Sequence, residues 1–325
     1  MKYIIITSIN DITEAVIAFS KKADWHVVVV GDTKSIPYTY DNITYLTVEE
    51  QTKLGYSSIK STPYNHYSRK NIGYLYAIKN NASSIYDTDD DTFPYEDWGS
   101  RNFNCSTRIG GAKFINPFKL FTEEKVWPRG LELSYINKKD QYIEKEKRTS
   151  VGVWQGVIDG DSDFDAIYRL TVDKHVTFNQ GKNITIADNC YAPFNTQSTL
   201  WNPIFYSLLY IPITVDFRFT DILRGYIAQR IMWEYGHNIG FHGPNTYQIR
   251  NAHDYFKDFL GEMSMYRQVP EVIKVLDKTK LKGLSIEEDL VTVYKALHSI
   301  EVVTDSELTN LNNWISDLSW KSTKN

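Results

Sequence analysis

A fold built on a parallel α/β sheet follows from three observations in the 325-residue chain. The first 32 residues read strand, helix, strand, the opening of such a sheet. Further on, the apolar pair Ile85 and Tyr86 runs straight into Asp87, Asp89, Asp90 and Asp91, as a buried strand does when it ends at a ligand site. From about Asn251 onward, apolar residues recur only at helical spacing.

Residues 3–7 (YIIIT) are mostly β-branched, which suits a strand covered on both faces. Asn10 and Asp11 can cap a helix in which Ile12, Ala15, Val16 and Phe19 share a face. Residues 26–30 (HVVVV) form a second buried strand that ends at Gly31 and Asp32. Ligands of parallel sheets sit beyond the carboxyl ends of the strands, where Thr7, Ser8 and Asp32 lie. Asp32 is placed either to accept from a ribose or base or simply to turn the chain. Tyr45 and Leu46 make a short strand, and residues 62–68 a loop. A helix starts at Arg69, with Ile72, Leu75 and Tyr76 on one face. Arg69 and Lys70 lie in its first turn, where the helix dipole disfavours cations. A nearby anion such as a diphosphate would offset that cost; a solvated basic turn is the plainer reading.

This helix feeds the acidic stretch 84–93 (SIYDTDDDTF). Four carboxylates within five residues repel one another at a strand end, unless water or a cation separates them. Asp89 and Asp91 form a D-x-D pair, and hard divalent cations take oxygen ligands that they share with substrate phosphates.

Two later segments also concentrate polar chemistry. In residues 151–170, Asp161, Asp163 and Asp165 crowd one loop, followed by Arg169 in a strand-like IYRLT. Each such carboxylate can accept several hydrogen bonds. A calcium loop of the EF-hand type does not fit, since the Gly at its sixth position and the Glu at its twelfth are missing. In residues 191–201, Asn195, Gln197 and Thr199 alternate and so share one face of an expected strand. Thr220 is placed to cap a helix whose stripe is Leu223, Tyr226, Ile227 and Ile231, with Asp221 in its first turn and Arg218 and Arg224 nearby. His237 and His242 follow, as candidate metal or diphosphate contacts or as structural side chains. Three helical stripes close the chain: Val269, Val272, Ile273 and Leu276; Leu290, Val293, Tyr294 and Leu297; Leu308, Leu311, Ile315 and Leu318. Residues 321–325 are expected to be disordered.

Composition narrows the function. A net charge of -4 gives no electrostatic argument for nucleic acid. Cys105 and Cys190 make no disulfide framework. The opening apolar run is too short for a signal peptide, and no stretch of about 20 apolar residues exists to span a membrane, so a cytoplasmic location is expected.

The combination of TSIN, DW-x-VVVVGD, Pro63-Tyr64, RKNIGYLYAI, DTDDDT and YAPFNTQSTLW resembles the STELLO family of glycosyltransferase-like proteins, over roughly residues 1–247. It is more distantly similar to the reversibly glycosylated polypeptides, which are UDP-arabinose mutases. The resemblance implies a GT-A fold, a Rossmann-like, mixed but mostly parallel sheet with helices on both faces, over residues 1–250, and a helical region over 251–325. It implies a metal-dependent glycosyltransferase that moves a sugar from a nucleoside-diphosphate donor, UDP-linked, to a glycan or other hydroxyl-bearing acceptor, with inversion. Asp89 and Asp91, with His242 as a further candidate, would hold Mn²⁺ or Mg²⁺. Thr7, Ser8, Asp32, Arg69 and Lys70 would meet the nucleotide and diphosphate. Asp90, Asp163, Asp165, Asn195 and Gln197 would meet the donor sugar, and Asp221 would act as general base. A nucleotide-sugar mutase and a non-catalytic sugar-nucleotide-binding scaffold are the alternatives. An aspartyl phosphatase does not fit, because Thr92 follows Asp91 directly.

Overall fold

Strand β1 (Lys2–Thr7) sits at the centre of a parallel block. It pairs on one side with β2 (Trp25–Val30), Ile4 opposite Val27, and on the other with β4 (Ser84–Thr88), Ile4 opposite Tyr86. β3 (Ile43–Leu46) extends the block beyond β2, again in parallel. The computed structural model describes residues 1–138, 142–249 and 254–319.

The β-branched runs are buried on both faces, and the two-residue period decides which side chain goes where. Ile4, Ile6, Val27, Val29 and Tyr86 point to one face, against Val16 and Phe19 of α1 (Glu14–Ser20) and Trp98. Tyr3, Ile5, Val28, Val30 and Ile85 point to the other, against Ile72 and Leu75 of α3 (Lys70–Lys79), which follows the short helix α2 (Val48–Lys53). Thr13, not Asn10 or Asp11, caps α1, its hydroxyl accepting from the Val16 amide. Gly73 brings α3 down onto the sheet: a Cβ there would lie 2.7 Å from the γ-methyls of Ile5 and Val30.

Beyond β4 the pairing changes hand. β9 (Ser198–Trp201) runs antiparallel to β4 and to β7 (Ile143–Gly160). β6 (Asn104–Gly110), β8 (Ile184–Ile186), β10 (His237–Gln248) and the edge strand β5 (Thr92–Pro94) complete the order β3-β2-β1-β4-β9-β7-β6-β8-β10-β5. β7 also pairs in parallel with β10, so β7, β6, β8 and β10 close into a ring. The sheet is therefore mixed rather than mostly parallel, its uninterrupted parallel part being β3-β2-β1-β4. No element was expected for residues 237–248, which form the long strand β10.

Three local expectations are corrected. Residues 166–171 are a helix, α4 (Ala166–Thr171), not a strand, because the Asp165 carboxylate caps it by accepting from the Tyr168 amide at 2.8 Å. Asn195 and Gln197 precede β9 and do not alternate along it; only Thr199 lies in the strand. Thr220 does not cap α5 (Thr220–Glu234): the N-cap is Phe219, and the Thr220 hydroxyl instead donates to the Phe217 carbonyl.

The three C-terminal stripes lie on α6 (Tyr255–Lys278), α7 (Ile286–His298) and α8 (Asp305–Ser319), and pack into the same core as α3 and α5. Two buried carboxylates of α8 fix it. Glu307 accepts from the amides of Ile213 and Thr214 and from the hydroxyls of Tyr210 and Thr214. Asp317 accepts from the amides of Ser57 and Ser58 at 2.7 and 2.8 Å and from the Ser58 hydroxyl at 2.6 Å. The change of character placed near Asn251 and the tail 321–325 lie outside the described residues. No helix among the described residues is long and apolar enough to cross a membrane.

Candidate active site

A cleft of about 590 Å³ opens at the carboxyl ends of β1, β2 and β4, where a parallel block presents its loops. Thr7 and Ser8 reach it from β1, Asp32 from β2, and Asp89, Asp90 and Asp91 from β4. The opposite wall comes from the loops holding Arg129, Asp163 and Gln197 and from the first turn of α5, which carries Asp221.

The four aspartates of the acidic stretch are not equivalent. Asp87 is fully buried inside β4 and belongs to the fold: Lys70 Nζ lies 2.7 Å from its Oδ1, and Arg224 and the Tyr74 hydroxyl bind its Oδ2 at 3.1 and 2.7 Å. Asp89 turns to the cleft. Its Oδ1 accepts from the Tyr67 hydroxyl at 2.6 Å and from Lys70 at 3.1 Å. Burial raises the Asp89 carboxyl above its usual range, although Lys70 and Tyr67 pull the other way. Asp90 folds back on the β1 terminus, accepting from the Ser8 hydroxyl and, at 3.0 Å, from the Asn10 amide group. Asp91 Oδ2 accepts from Gln248 at 3.0 Å.

Across the cleft, Arg129 lies between two carboxylates. Its Nη1 and Nη2 each donate at 2.9 Å to Asp221, while Nε and Nη2 reach Asp163 at 3.0 and 2.9 Å. Burial alone would raise the Asp163 carboxyl. Arg129, helped by Arg218 and by the Asn195 amide, outweighs burial and holds it well below the usual carboxylate range.

These groups connect into one belt around the cleft. From Asp89 it passes through Tyr67 to Thr196 at 2.5 Å, and from Thr196 to Asp221 at 3.4 Å. Arg129 carries it to Asp163, which accepts from Asn195 at 2.9 Å. Asn195 donates to Gln197, Gln197 to Gln248, and Gln248 back to Asp91, two residues from where the belt began.

The structure thus gathers Thr7, Ser8, Asp32, Arg69, Asp89, Asp90, Asp91, Asp163, Gln197 and Asp221 on one cleft, with Asn195 just behind Asp163. Three expected site residues lie elsewhere. Lys70 is fully buried beneath the cleft, its ammonium engaged by Asp87, Asp89 and the Thr88 carbonyl, so the anion that offsets its position at the helix start is protein carboxylate. Asp165 is buried at the start of α4, where desolvation raises its carboxyl to about 7. His242 is buried within β10 beside Trp154 and does not line the cleft; its Nδ1 meets the Gly243 carbonyl at 2.7 Å, and burial lowers it to about 3. Arg69 lines the cleft but is engaged by Gln51 and lies over the Tyr64 ring.

Sequence reasoning passed over Arg129, Tyr67, Thr196, Phe217 and Gln248. Arg129 carried a usable signal: one cation inside the apolar run 126–131 (VWPRGL), before a glycine that adopts φ 92°. A lone buried cation needs a carboxylate partner. Phe217 is 54% exposed at the cleft wall, its ring meeting His66 and Tyr67 edge-on.

Comparison with known proteins places this geometry in context. A family model described as STELLO glycosyltransferases matches residues 218–323. "Probable glycosyltransferase STELLO1" of Arabidopsis thaliana is 25% identical over 341 residues, covering 98% of this chain and 44% of that protein. "Probable glycosyltransferase STELLO2" of the same plant is 24% identical over 301 residues, covering 85% and 39%. The chain spans less than half the length of these curated relatives, and the likeness runs along nearly all of it.

Proposed function

We propose that this relative of the STELLO glycosyltransferases moves a sugar from a nucleoside-diphosphate donor, UDP-linked, to an acceptor hydroxyl, using a GT-A-type arrangement of the parallel block. The observation that carries the reading is the meeting, in one cleft at the strand ends, of the D-x-D carboxylates Asp89 and Asp91 with Asp163 and Asp221.

Charge balance supports a metal-assisted site. Six carboxylates line the cleft: Asp32, Asp89, Asp90, Asp91, Asp163 and Asp221. Of the cations near them, Arg129 is held by Asp163 and Asp221, Arg218 by Glu262, Lys70 by Asp87 and Asp89, and Arg69 by Gln51, while Lys34 also lines the cleft. Most of the positive charge that a diphosphate would meet on this wall is thus already engaged by protein groups. Asp89 Oδ1 accepts from Tyr67 and Lys70, and Asp89 and Asp91 both line the cleft. The described residues contain no group of three or more His, Cys, Asp and Glu able to hold a metal ion. The pair Asp89 and Asp91 suits Mg²⁺ or Mn²⁺ taken up together with substrate phosphates, which needs only one or two protein carboxylates. When bound, that ion would offset the charge building on the leaving diphosphate.

The chain's own residues do the rest in this reading. Asp163 orients hydroxyls of the donor sugar, with Asn195 supporting it from behind. The acceptor oxygen attacks the anomeric carbon as the bond to the diphosphate oxygen breaks, and its proton passes to Asp221. Oδ1 accepts from Arg129 and from the Ile222 amide, whereas Oδ2 accepts from Arg129 at 2.9 Å and only weakly, at 3.4 Å, from Thr196, so Oδ2 is the less saturated oxygen and takes the proton. Attack opposite the departing diphosphate inverts the anomeric centre.

A thermal-shift panel of nucleotides and nucleotide sugars, each with and without Mn²⁺, tests the reading. Stabilisation by UDP or a UDP-sugar that depends on the metal is expected. No shift with any nucleotide, at concentrations where a weak ligand registers, would remove the donor site.

A further inference from the structure

We infer that Arg129 is a positioning residue that sets the sugar-facing carboxylate Asp163 and the acceptor-facing carboxylate Asp221 against the donor sugar. The inference rests on the nucleotide-sugar reading of the cleft and goes on to say how its two halves are held in register.

Arg129 cannot itself be a ligand-binding cation. A guanidinium has five N–H donors, and all five are taken. Nε serves Asp163 Oδ1, Nη1 serves Asp221 Oδ1 and the Arg218 carbonyl, and Nη2 serves Asp221 Oδ2 and Asp163 Oδ2. The backbone is latched as well: the Arg129 amide donates to the Asp163 carbonyl at 2.9 Å. The two carboxylates arrive from unrelated segments, one from the loop after β7 and one from the first turn of α5. The guanidinium fork bonds to both carboxylates at once and so sets their separation directly.

A purely structural role explains this poorly. A buried Asp–Arg–Asp cluster is weak evidence for stability, because desolvating three charges offsets most of their attraction, and apolar replacements of such clusters are often neutral or stabilising. The cluster also keeps one net negative charge on a cleft wall already rich in carboxylates. What it provides is geometry: two carboxyl groups held in one orientation before a ligand arrives. Asp163 Oδ1 accepts one bond from Arg129 and keeps a second lone pair, so it can still accept from a sugar hydroxyl.

The test compares binding of UDP with binding of a panel of UDP-hexoses and UDP-pentoses, all with Mn²⁺. Arg129→Lys is the main variant. It keeps the charge of the cluster but replaces a planar fork with a point donor that cannot bridge two carboxylates in the same way. Arg129→Ala, with and without millimolar guanidinium, is the second. The wild type should bind its best UDP-sugar more tightly than UDP. Arg129→Lys should keep the affinity for UDP, which rests on Asp89 and Asp91, and lose about tenfold in the sugar increment, the scale of one charge-assisted hydrogen-bonded contact. Guanidinium should restore part of that increment to Arg129→Ala, which a general loss of folding would not allow. Retention of the full increment in Arg129→Lys would overturn the inference, as would a parallel fall in UDP and UDP-sugar affinity. So would a wild type that binds UDP but shows no increment with any sugar. A wild type that binds no nucleotide would instead overturn the nucleotide-sugar reading itself, and this inference with it.

Discussion

Replacing Lys70 by Met removes the cation beneath the cleft and nearly nothing else, since the aliphatic volume is kept. Lys70 is fully buried, and its Nζ serves Asp87 at 2.7 Å, Asp89 at 3.1 Å, the Thr88 carbonyl at 2.6 Å and the Tyr67 hydroxyl at 2.9 Å. Breaking a buried pair from one side costs about 3–5 kcal/mol. Two features place this case at the lower end. Asp87 keeps Arg224 and Tyr74, so its charge is not stranded. The Asp89 side chain is 23% exposed, so water replaces part of what it loses. A loss of about 3 kcal/mol near neutral pH follows. The pH dependence has a definite sign. The Asp89 carboxyl already lies above its usual range through burial, and without Lys70 it rises further. A carboxyl raised by folding favours the folded state below its unfolded value and loses that contribution as the pH climbs through the raised one. The deficit of the variant is therefore largest near neutrality and shrinks on acidification. Urea denaturation in the presence of a chelator, at about pH 7.5 and about pH 5, reads both effects. A loss below about 1 kcal/mol at the higher pH, or a deficit that fails to narrow at the lower one, would refute the reasoning.

Asp91→Asn should abolish Mn²⁺-dependent stabilisation by nucleotide while leaving the ligand-free melting point close to wild type; an unchanged metal response would remove Asp91 from the cation site. Asp221→Asn should keep donor binding and lower transfer by about 10²–10⁴-fold, the usual contribution of a general base, as measured by UDP release with acceptor present; retained turnover would exclude it as the base. Gly73→Ala should destabilise by about 1–3 kcal/mol in chemical denaturation, even though alanine is the better helix former, because its Cβ meets the γ-methyls of Ile5 and Val30. Glu307→Ala should cost about 3 kcal/mol or more by the same assay, since four donors around residues 210–214 lose their acceptor together.

What could be read in the sequence was whatever depends on local pattern. The strand-helix-strand opening, the basic helix start and the three C-terminal stripes are set by periodicity over a few turns, and each is present, although α1 begins at Glu14, past Ile12, and α3 at Lys70, with Arg69 as its N-cap. The acidic cluster was read correctly as the end of a strand, but the division of labour within it was not. A run of four aspartates gives no sign that Asp87 faces inward to Lys70 and Arg224, while Asp89 and Asp91 face the cleft. That depends on which way β4 is pleated and on α5, which contributes Arg224 from 137 residues further along. Arg129 went unread for the same reason, since its partners Asp163 and Asp221 lie 34 and 92 residues away. The helix at 166–171 was misread because IYRLT carries strand propensity, which the Asp165 cap overrides. Likewise, the alternation of Asn195, Gln197 and Thr199 is a strand pattern that only its last member satisfies, because β9 begins at Ser198.

The hold of Asp317 on Ser57 and Ser58 bears on the order in which the chain can finish folding. Those donors lie in a turn close to the N-terminal strands, yet their acceptor is some 260 residues away. β1, β2 and β4 can pair as soon as they have left the ribosome, because their side chains bury one another. The turn at 57–60 reaches its final form only once α8 has docked, because the Ser57 and Ser58 amides take their acceptor from Asp317. Contacts so distant in sequence carry a large loop-closure cost and form late. The wall of the cleft that begins at Asn65, a few residues beyond this turn, is thus completed only with the arrival of the C-terminal helices, and a nascent chain lacking them would hold the acidic strand end without a finished site around it.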